Sequence, residues 1–197
     1  MKTLIISLSL VLILILSGCK DNSTQTLDTS VIWPLKVGNY WEFQHFGISE
    51  IIDSVIILVD RDTLDYKLIK YHLTESLISS PWVLNNFYFN NDSGFVDSHG
   101  NYSNLVYKYP AKQNDFYYDY IYLDSVISTN KDVTVPAGTF KCYEYHKIES
   151  PPGYFFQSFT IVYLSPGIGP IKVEQYSQFL GETILINSKK LISYKLY

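Results

Sequence analysis

The sequence predicts an all-β domain: an antiparallel meander of about ten strands, curled into a barrel, a half-barrel or a sandwich, with little helix. β-branched and aromatic residues dominate, and turn signals interrupt them at short intervals. No stretch shows a 3.6-residue apolar period with helix caps. Because a sheet of that many strands rarely stays flat, we favour a barrel or a strongly curved sheet.

The first half of the chain predicts two hairpins. The expected elements, in order, are strands Tyr40 to Phe46 and Ser49 to Val59, a tight turn at Asp60 to Thr63, a returning strand Leu64 to Ser76, and the hairpin "NFYF"–"NNDS"–"GFVDS". Asn and Asp tolerate left-handed backbone angles, and Gly94 meets no steric cost there, so "NNDS" is a plausible hairpin turn on chemical grounds.

The second half continues the same pattern. "FYYDYIYLDSVIS" reads as one long strand, and "KDVTV", "KCYEYHKI", "FFQSFTIVYL", "IKVEQYSQFL" and "ETILINSKKLISYKLY" follow it. "ESPPGY", "SPGIGP" and "LG" supply turns between the last four of these strands. The only places where a helix could hide are Ser76 to Asn86 and Tyr109 to Asp115.

The N-terminus reads as an export signal. Lys2 precedes an almost unbroken apolar run from Leu4 to Leu16, which is shorter than the roughly 20 residues that span a bilayer. The following "LSGC" resembles the bacterial lipobox, in which the chain is cut before the cysteine and its sulfur is acylated with chains such as palmitate. The alternatives are an uncleaved anchor or an ordinary signal with an incidental cysteine.

The lipobox resemblance implies three segments and a membrane anchor. Residues 1–18 would be the signal peptide, residues 19–30 the lipidated Cys19 with a polar, flexible tether, and residues 31–197 a single β domain. Lys20 and Asp21 partly resemble the surface-export signal of Bacteroidetes-type lipoproteins, from which Asn22 departs. We therefore expect lipid anchoring to the outer membrane, on the cell surface or on its periplasmic face.

Charge and cysteine count exclude several classes of protein. The formal net charge is −4, and loss of Lys2 with the signal would make it −5. Arg61 is the only arginine and there is no basic stripe, so we expect no nucleic-acid partner. With Cys19 acylated, Cys142 has no partner for an internal disulfide. No phosphate-binding or dinucleotide fingerprint is present, and we expect no cofactor.

The aromatic run "DFYYDYIYLD" holds the candidate ligand-binding residues. In a strand, alternation places Phe116, Tyr118, Tyr120 and Tyr122 on one face. Such a row could stack on sugar rings, line a cavity for an acyl chain, face a partner protein, or pack into the core. Alternation defines the two faces of a strand but not which of them points inward.

Two polar clusters are weaker candidates. Cys142, Glu144 and His146 share one strand face and could in principle form a nucleophile with its base, or offer ligands to zinc. However, residues two apart in a strand lie about 6.5 to 7 Å apart, and those four apart twice as far. We therefore predict no catalytic residue and no metal site, with Cys142 a small buried residue. "DRDTLD" (Asp60, Asp62, Asp65) lacks the glycine and glutamate of a calcium loop and reads as a solvated turn.

Three segments of the mature domain carry turn-and-strand motifs. They are "WPLKVGNYWEF" with its P-L-x-x-G-N-x-W pattern, "VPAGTFKCYEY" with V-P-A-G-T-F, and "YLSPGIGPIKVE". Together they resemble a group of small β-rich secreted proteins and lipoproteins of Bacteroidetes-like bacteria. The motifs are turn-and-strand signatures, so the resemblance implies an envelope location and a β architecture. It implies no activity and no functional residues.

These observations predict a lipid-anchored envelope lipoprotein that binds an apolar ligand or an envelope partner protein. The alternative is a surface glycan-binding module that uses the aromatic strand face. We expect that the protein is not an enzyme, because no nucleophile–base pair or carboxylate pair emerges from the sequence; a hydrolase is the least favoured alternative.

Overall fold

The computed structural model describes residues 27–47, 51–65, 68–77, 80–99, 102–119, 122–148 and 156–197. Within these ranges the chain forms twelve strands and no helix. They are β1 (Tyr40–Phe46), β2 (Ile51–Asp65), β3 (Leu68–Leu77), β4 (Ser80–Asn91), β5 (Gly94–His99), β6 (Tyr102–Lys108), β7 (Phe116–Asp119), β8 (Tyr122–Val135), β9 (Gly138–Ile148), β10 (Phe156–Ser165), β11 (Gly169–Phe179) and β12 (Glu182–Lys195).

The strands form one antiparallel sheet in the order β6-β5-β4-β3-β2-β1-β12-β11-β10-β9-β8-β7. Consecutive strands pair with each other except β6 and β7, and β1 pairs with β12, which joins the two halves of the meander. The two edge strands, β6 and β7, come together and nearly close a barrel. The predicted all-β antiparallel meander is thus confirmed, with twelve strands where we expected about ten, and the barrel is the observed form.

Aromatic and branched aliphatic side chains fill the barrel. Strand alternation turns Trp41 and Phe43 of β1 inward, opposite Ile57 and Val55 of β2. The largest fully buried side chains are those of Trp41, Tyr145, Phe43, Phe95, Ile32, Leu164, Ile171 and Leu191. No disulfide links the described residues, since Cys142 is free and buried, so burial of these side chains supplies the stability.

The segment 27–39 closes one end of the barrel, which we call the plugged end. Trp33 stacks on Phe95 at 4.8 Å between ring centroids and meets Trp41 edge-on at 5.6 Å. The backbone N–H of Gly167 donates to the carbonyl of Val31 over 2.8 Å. A Cβ atom at Gly169, whose φ is +100°, would lie 2.9 Å from the Trp33 ring, so the plug requires glycine there.

The opposite end, which we call the distal end, holds the β1–β2, β3–β4, β5–β6, β7–β8, β9–β10 and β11–β12 connections. In an antiparallel meander, alternate connections lie at the same end of the sheet. Cavities lie at both ends. One of about 400 Å³ adjoins the plug between Leu35, Tyr71 and Tyr197, and one of about 280 Å³ lies at the distal end.

Several element predictions are confirmed. β1 spans the predicted residues Tyr40 to Phe46. The turn between β4 and β5 is also confirmed: the Asn91 side-chain oxygen accepts the backbone N–H groups of Ser93 at 2.8 Å and Gly94 at 3.1 Å. Gly94 has a φ of +135°, which suits glycine.

The turn predicted at Asp60 to Thr63 is wrong, because these residues belong to β2. The register shifts between Val59 and Arg61, so Asp60 marks a bulge rather than a turn. Residues 60–64 are exposed on both faces, and an extension that water surrounds can carry polar residues on either side. In this stretch Asp60 pairs with His72 at 2.6 Å, and no group of three or more possible metal ligands lies among the described residues.

The two stretches in which a helix could hide contain none among the described residues. Ser76 and Leu77 end β3, and residues 80–86 belong to β4. Residues 109–115 form bends and turns between β6 and β7. Cys19 and the signal segment 1–18 lie outside the described residues, so the predicted domain boundaries stay predictions.

Candidate functional site

The edge strands β6 and β7 meet at a seam that side chains bridge. Backbone hydrogen bonds join eleven pairs of neighbouring strands. Among the described residues, no such bonds join β6 to β7. Instead, the Tyr117 hydroxyl donates to the carbonyl of Val106 over 3.0 Å, and the Tyr145 hydroxyl donates to that of Lys108 over 2.9 Å. Both carbonyls lie on an edge strand, where they would otherwise require water.

Lys147 of β9 is the third bridge across the seam. Its ammonium donates to the Val106 carbonyl at 3.2 Å, to Asp119 at 2.7 Å and to Asp124 at 2.5 Å. It thereby joins β6, β7, β8 and β9. The three N–H donors of a lysine ammonium are matched by three acceptors, so this group acts as a clamp rather than as a nucleophile.

Burial shapes the electrostatics of the clamp. The Asp124 side chain is almost completely buried, and desolvation raises the pKa of its carboxyl, an effect that the charge and hydrogen bond of Lys147 partly oppose. Burial likewise raises the pKa of the Tyr117 phenol far above its ordinary range. The Lys147 ammonium lies 5.2 Å from the ring centroid of Tyr107 and 5.9 Å from that of Tyr117, within reach of cation–π attraction.

The distal cavity of about 280 Å³ lies beside this clamp. Its polar wall is formed by Asp119, Asp124 and Lys147, and its apolar wall by Ile148, Val162 and Val173, with Tyr107 and Thr160 completing the lining. It is smaller than the 300 to 1,000 Å³ typical of small-molecule sites.

The four predicted ligand-binding residues do not form one row on one strand. The expected long strand is divided into β7 and β8, which pair with each other. Phe116 and Tyr118 lie on β7 and are 62% and 67% exposed, whereas Tyr117 between them is 7% exposed. Tyr120 lies outside the described residues. Tyr122 begins β8 opposite Asp119, while Leu123 lies opposite Tyr118.

Phe116, Tyr118 and Leu123 therefore form the outer surface of β7 and β8, which we call the outer aromatic face. All three side chains are exposed. The face lies directly outside the seam, because Tyr117 of the same strand points inward to Val106. Strand alternation predicted the separation of Tyr117 from its two neighbours but could not say which of the faces is outside.

Cys142 packs into the core of the barrel. Cys142 is fully buried, its thiol lies 3.7 Å from the Phe140 carbonyl, and burial raises its pKa to about 12. A thiol with such a pKa is almost entirely protonated at neutral pH and is a poor nucleophile. Glu144 and His146 approach each other to 3.3 Å and form an ion pair when the histidine is protonated.

The hairpin tip between β8 and β9 anchors this strand to the core. Val133, Val135 and Cys142 belong to the buried cluster, and Phe140 packs against it. The Phe140 ring lies 6.2 Å from that of Tyr194. The backbone N–H of Ala137 donates to the Leu191 carbonyl at 3.1 Å. The "VPAGTF" segment thus makes a turn that packs on β12.

The seam is the feature that sequence reasoning missed. Lys147, Tyr117 and Val106 are separated by up to 41 residues, and no local pattern brings them together. The one available signal was a lysine at the inward register of a strand whose neighbouring inward positions are Tyr143 and Tyr145, since a charge among core positions requires partners.

Comparison with known proteins identifies similar folds. No family model matches the chain, and no curated protein matches it. A solved structure from Bacteroides fragilis, designated an exported protein with a YmcC-like fold, matches with a TM-score of 0.59 and 14% identity over 85% of this chain and 100% of that one. A structure from Parabacteroides distasonis, designated a lipoprotein, matches with a TM-score of 0.55 and 14% identity over 84% and 99%.

At this identity the likeness establishes the fold. It shows that a nearly closed antiparallel barrel of this kind occurs in proteins of Bacteroidetes. Among the residues that the structure describes, none forms a helix that is long and apolar enough to cross a bilayer.

Proposed function

We propose that the protein is a lipid-anchored component of a Bacteroidetes-type cell envelope that binds an envelope protein through its outer aromatic face. The anchor would be the acylated Cys19. The export signal, the "LSGC" sequence and the designations of the two similar structures as an exported protein and a lipoprotein support this location.

The position of residue 27 fits such an anchor. Seven residues lie between Cys19 and Leu27, which enters the plugged end. The eight residue-to-residue steps of a fully extended chain reach at most about 28 Å. The tether would thus hold the plugged end near the lipid, and the distal end would be free to point away from the membrane.

The exposure of Phe116 and Tyr118 carries the binding proposal. A strand could bury these rings by exposing Tyr117 instead, yet the chain keeps Tyr117 inside and leaves two aromatic rings in water. Exposed aromatic side chains beside an aliphatic one are typical of protein contact sites, where tyrosine and phenylalanine are enriched.

A surface partner is favoured over an apolar ligand inside the barrel. Core side chains fill the lumen, and the distal cavity of about 280 Å³ has two carboxylates and an ammonium in its wall. Burying an acyl chain against those charges would cost desolvation without restoring their hydrogen bonds.

The anchor is tested by membrane fractionation and by labelling with an alkyne-tagged palmitate. The Cys19→Ala variant should lose both the label and the membrane association. Cys142→Ala is the matched control, since it removes the only other cysteine, and it should retain both. Label on the Cys19→Ala protein would refute lipidation at that residue.

The binding face is tested by co-purification from cross-linked envelopes, with the captured protein identified by mass spectrometry. The double variant Phe116→Ser, Tyr118→Ser should lose that protein. Tyr102→Ser is the control, because Tyr102 is also a highly exposed aromatic residue, on β6. Equal capture by both variants would count against the face.

A glycan is the second candidate for the same face, because two exposed rings next to each other on one strand can stack on sugar rings. Affinity electrophoresis on a panel of envelope polysaccharides separates the two candidates. Retardation that the double variant abolishes would favour the glycan, and no retardation on any polysaccharide would leave the protein partner.

A further inference from the structure

The β11–β12 hairpin ends in an exposed turn in which a leucine adopts an unfavourable backbone conformation. Phe179 pairs with Glu182, so Leu180 and Gly181 form a two-residue turn. Their φ angles are +51° and +86°, which are those of a type I′ turn. Gly181 has no atom within 4 Å of the position where a Cβ would stand, so the tip projects into open space.

Leu180 is an unfavourable residue for this position. Type I′ turns favour asparagine, aspartate or glycine at the first central position, because other side chains with positive φ crowd the following carbonyl. Leu180 adopts that conformation and is also 78% exposed, so neither local backbone preference nor burial explains a leucine there. Residues with a strained backbone cluster at functional sites such as active sites, ligand clamps and switch regions.

Three further apolar side chains lie at the tip, beside the polar Glu182 and Thr183. Phe179, Ile184 and Leu185 are exposed beside Leu180. Phe179 and Ile184 share a face, since Ile184 lies opposite Ser177, two residues before Phe179. The hairpin thus presents an apex leucine with an aromatic and a branched side chain behind it, a shape that fits an apolar pocket on another protein.

The location of the tip favours a protein over the anchoring membrane as its contact. It lies at the distal end, whereas the chain leaves the plugged end toward Cys19. β12 has 14 residues, and a strand of that length covers about 45 Å. The length of the barrel therefore separates the tip from the point where the tether enters. When the distal end points away from the membrane that holds the lipid, the tip cannot contact that membrane.

We infer that the β11–β12 tip is a protein-docking element in which Leu180 inserts into an apolar pocket of an envelope protein. This choice of occupant rests on the proposed anchoring through Cys19. The contact is separate from the outer aromatic face, because three strands, β8, β9 and β10, lie between β11 and β7 in the sheet order.

Leu64 offers a matched control. It is 73% exposed and lies near the end of β2, at the plugged end of the barrel. Leu64→Asn and Leu180→Asn make the same chemical change to two equally exposed leucines. Only at position 180 does asparagine also relieve backbone strain, so Leu180→Asn should raise Tm, whereas Leu64→Asn should leave it nearly unchanged.

The test is photo-cross-linking in intact cells with benzoylphenylalanine at position 182, which keeps Leu180 in place, and at position 62 as the control site. Position 182 should give one discrete adduct, identified by mass spectrometry as another envelope protein, and position 62 should not. Leu180→Asn should reduce that adduct at least tenfold without lowering Tm, Ile184→Thr should reduce it several-fold, and Leu64→Asn should not change it.

An undiminished adduct in Leu180→Asn protein that still fractionates with membranes would overturn the docking element while leaving the anchor intact. No adduct from position 182, an adduct with a second copy of this chain, or an adduct with lipid would also overturn it. Failure of the proposed anchor is seen separately, as wild-type protein that does not fractionate with membranes.

Discussion

The Tyr117 hydroxyl donates to the Val106 carbonyl over 3.0 Å, across the two edge strands of the barrel. This contact, with those of Tyr145 and Lys147 nearby, closes a seam that backbone hydrogen bonds do not close among the described residues. The interior is therefore sealed by three side chains along this line, and their removal should loosen the barrel locally before it unfolds.

Tyr117→Phe removes only the hydroxyl that bridges the seam. We expect it to lower the free energy of unfolding by about 1 kcal/mol and to accelerate hydrogen exchange in β6 more than in β1 or β12. Urea denaturation and exchange mass spectrometry measure the two effects. Tyr102→Phe, the same change at an exposed residue of β6, should alter neither; equal effects of the two variants would contradict a bridging role.

Lys147→Met removes the clamp and leaves two carboxylates without their shared cation. Breaking a buried ion pair in this way typically costs about 3 to 5 kcal/mol, and the partial exposure of Asp119 places our expectation near the lower value. Chemical denaturation measures the loss. Lys147→Arg keeps the charge and should be milder.

The exposed pair Lys141–Asp132 is the matched comparison for the clamp. Its atoms are 2.8 Å apart, but both side chains are largely in water. Lys141→Met should change the free energy of unfolding by less than about 0.5 kcal/mol. If Lys147→Met were as mild as Lys141→Met, the clamp would be a surface ion pair and not a closure of the barrel.

Asp124 should contribute more to the free energy of unfolding at acidic pH than at neutral pH. Its native pKa is raised above the ordinary value of 3.8, so the native state binds the proton more readily than the unfolded chain does. The stability from this group is therefore complete below pH 3.8 and is lost as the pH rises through the native pKa.

Asp124→Asn cannot titrate, so it isolates this component. The free energy of unfolding of the wild type minus that of the variant should fall as the pH rises above about 4. Denaturation curves at a series of pH values measure this difference. A difference that grew with pH would mean that Lys147 lowers the Asp124 pKa below its unfolded value.

Cys142 should be chemically inert in the folded protein. Its thiol is fully buried and its pKa is raised to about 12, so both access and thiolate are lacking at neutral pH. In the Cys19→Ala variant, where it is the only cysteine, maleimide or iodoacetamide should label it only after denaturation. Rapid labelling of the native protein would reopen the reactive reading of the Cys142–Glu144–His146 cluster.

Local chemistry made much of the fold predictable. The boundaries of β1 and the Asn91–Gly94 turn follow from alternation and from the residues that tolerate positive φ. The division of the aromatic run into β7 and β8 was not predictable in this way. Residues 120–121, Tyr and Ile, separate the two strands, and neither residue type signals a turn.

Contacts between distant segments were beyond a single sequence. The pairing of β1 with β12 joins Tyr40 to Lys195, and the clamp brings Val106, Asp119, Asp124 and Lys147 together. Neither contact produces a periodic pattern in the sequence. The outer aromatic face was half predicted: alternation grouped Phe116 with Tyr118, but only the fold shows that they face water.

The central claim is tested most directly by hydroxyl-radical footprinting. The reactivity of tyrosine and phenylalanine side chains is compared between intact cells and the purified protein. If a partner covers the outer aromatic face, Phe116 and Tyr118 should be several-fold less reactive in cells than in the purified protein, while exposed Tyr102 reacts equally in both. Equal reactivity of Phe116 and Tyr118 in both preparations would contradict the claim.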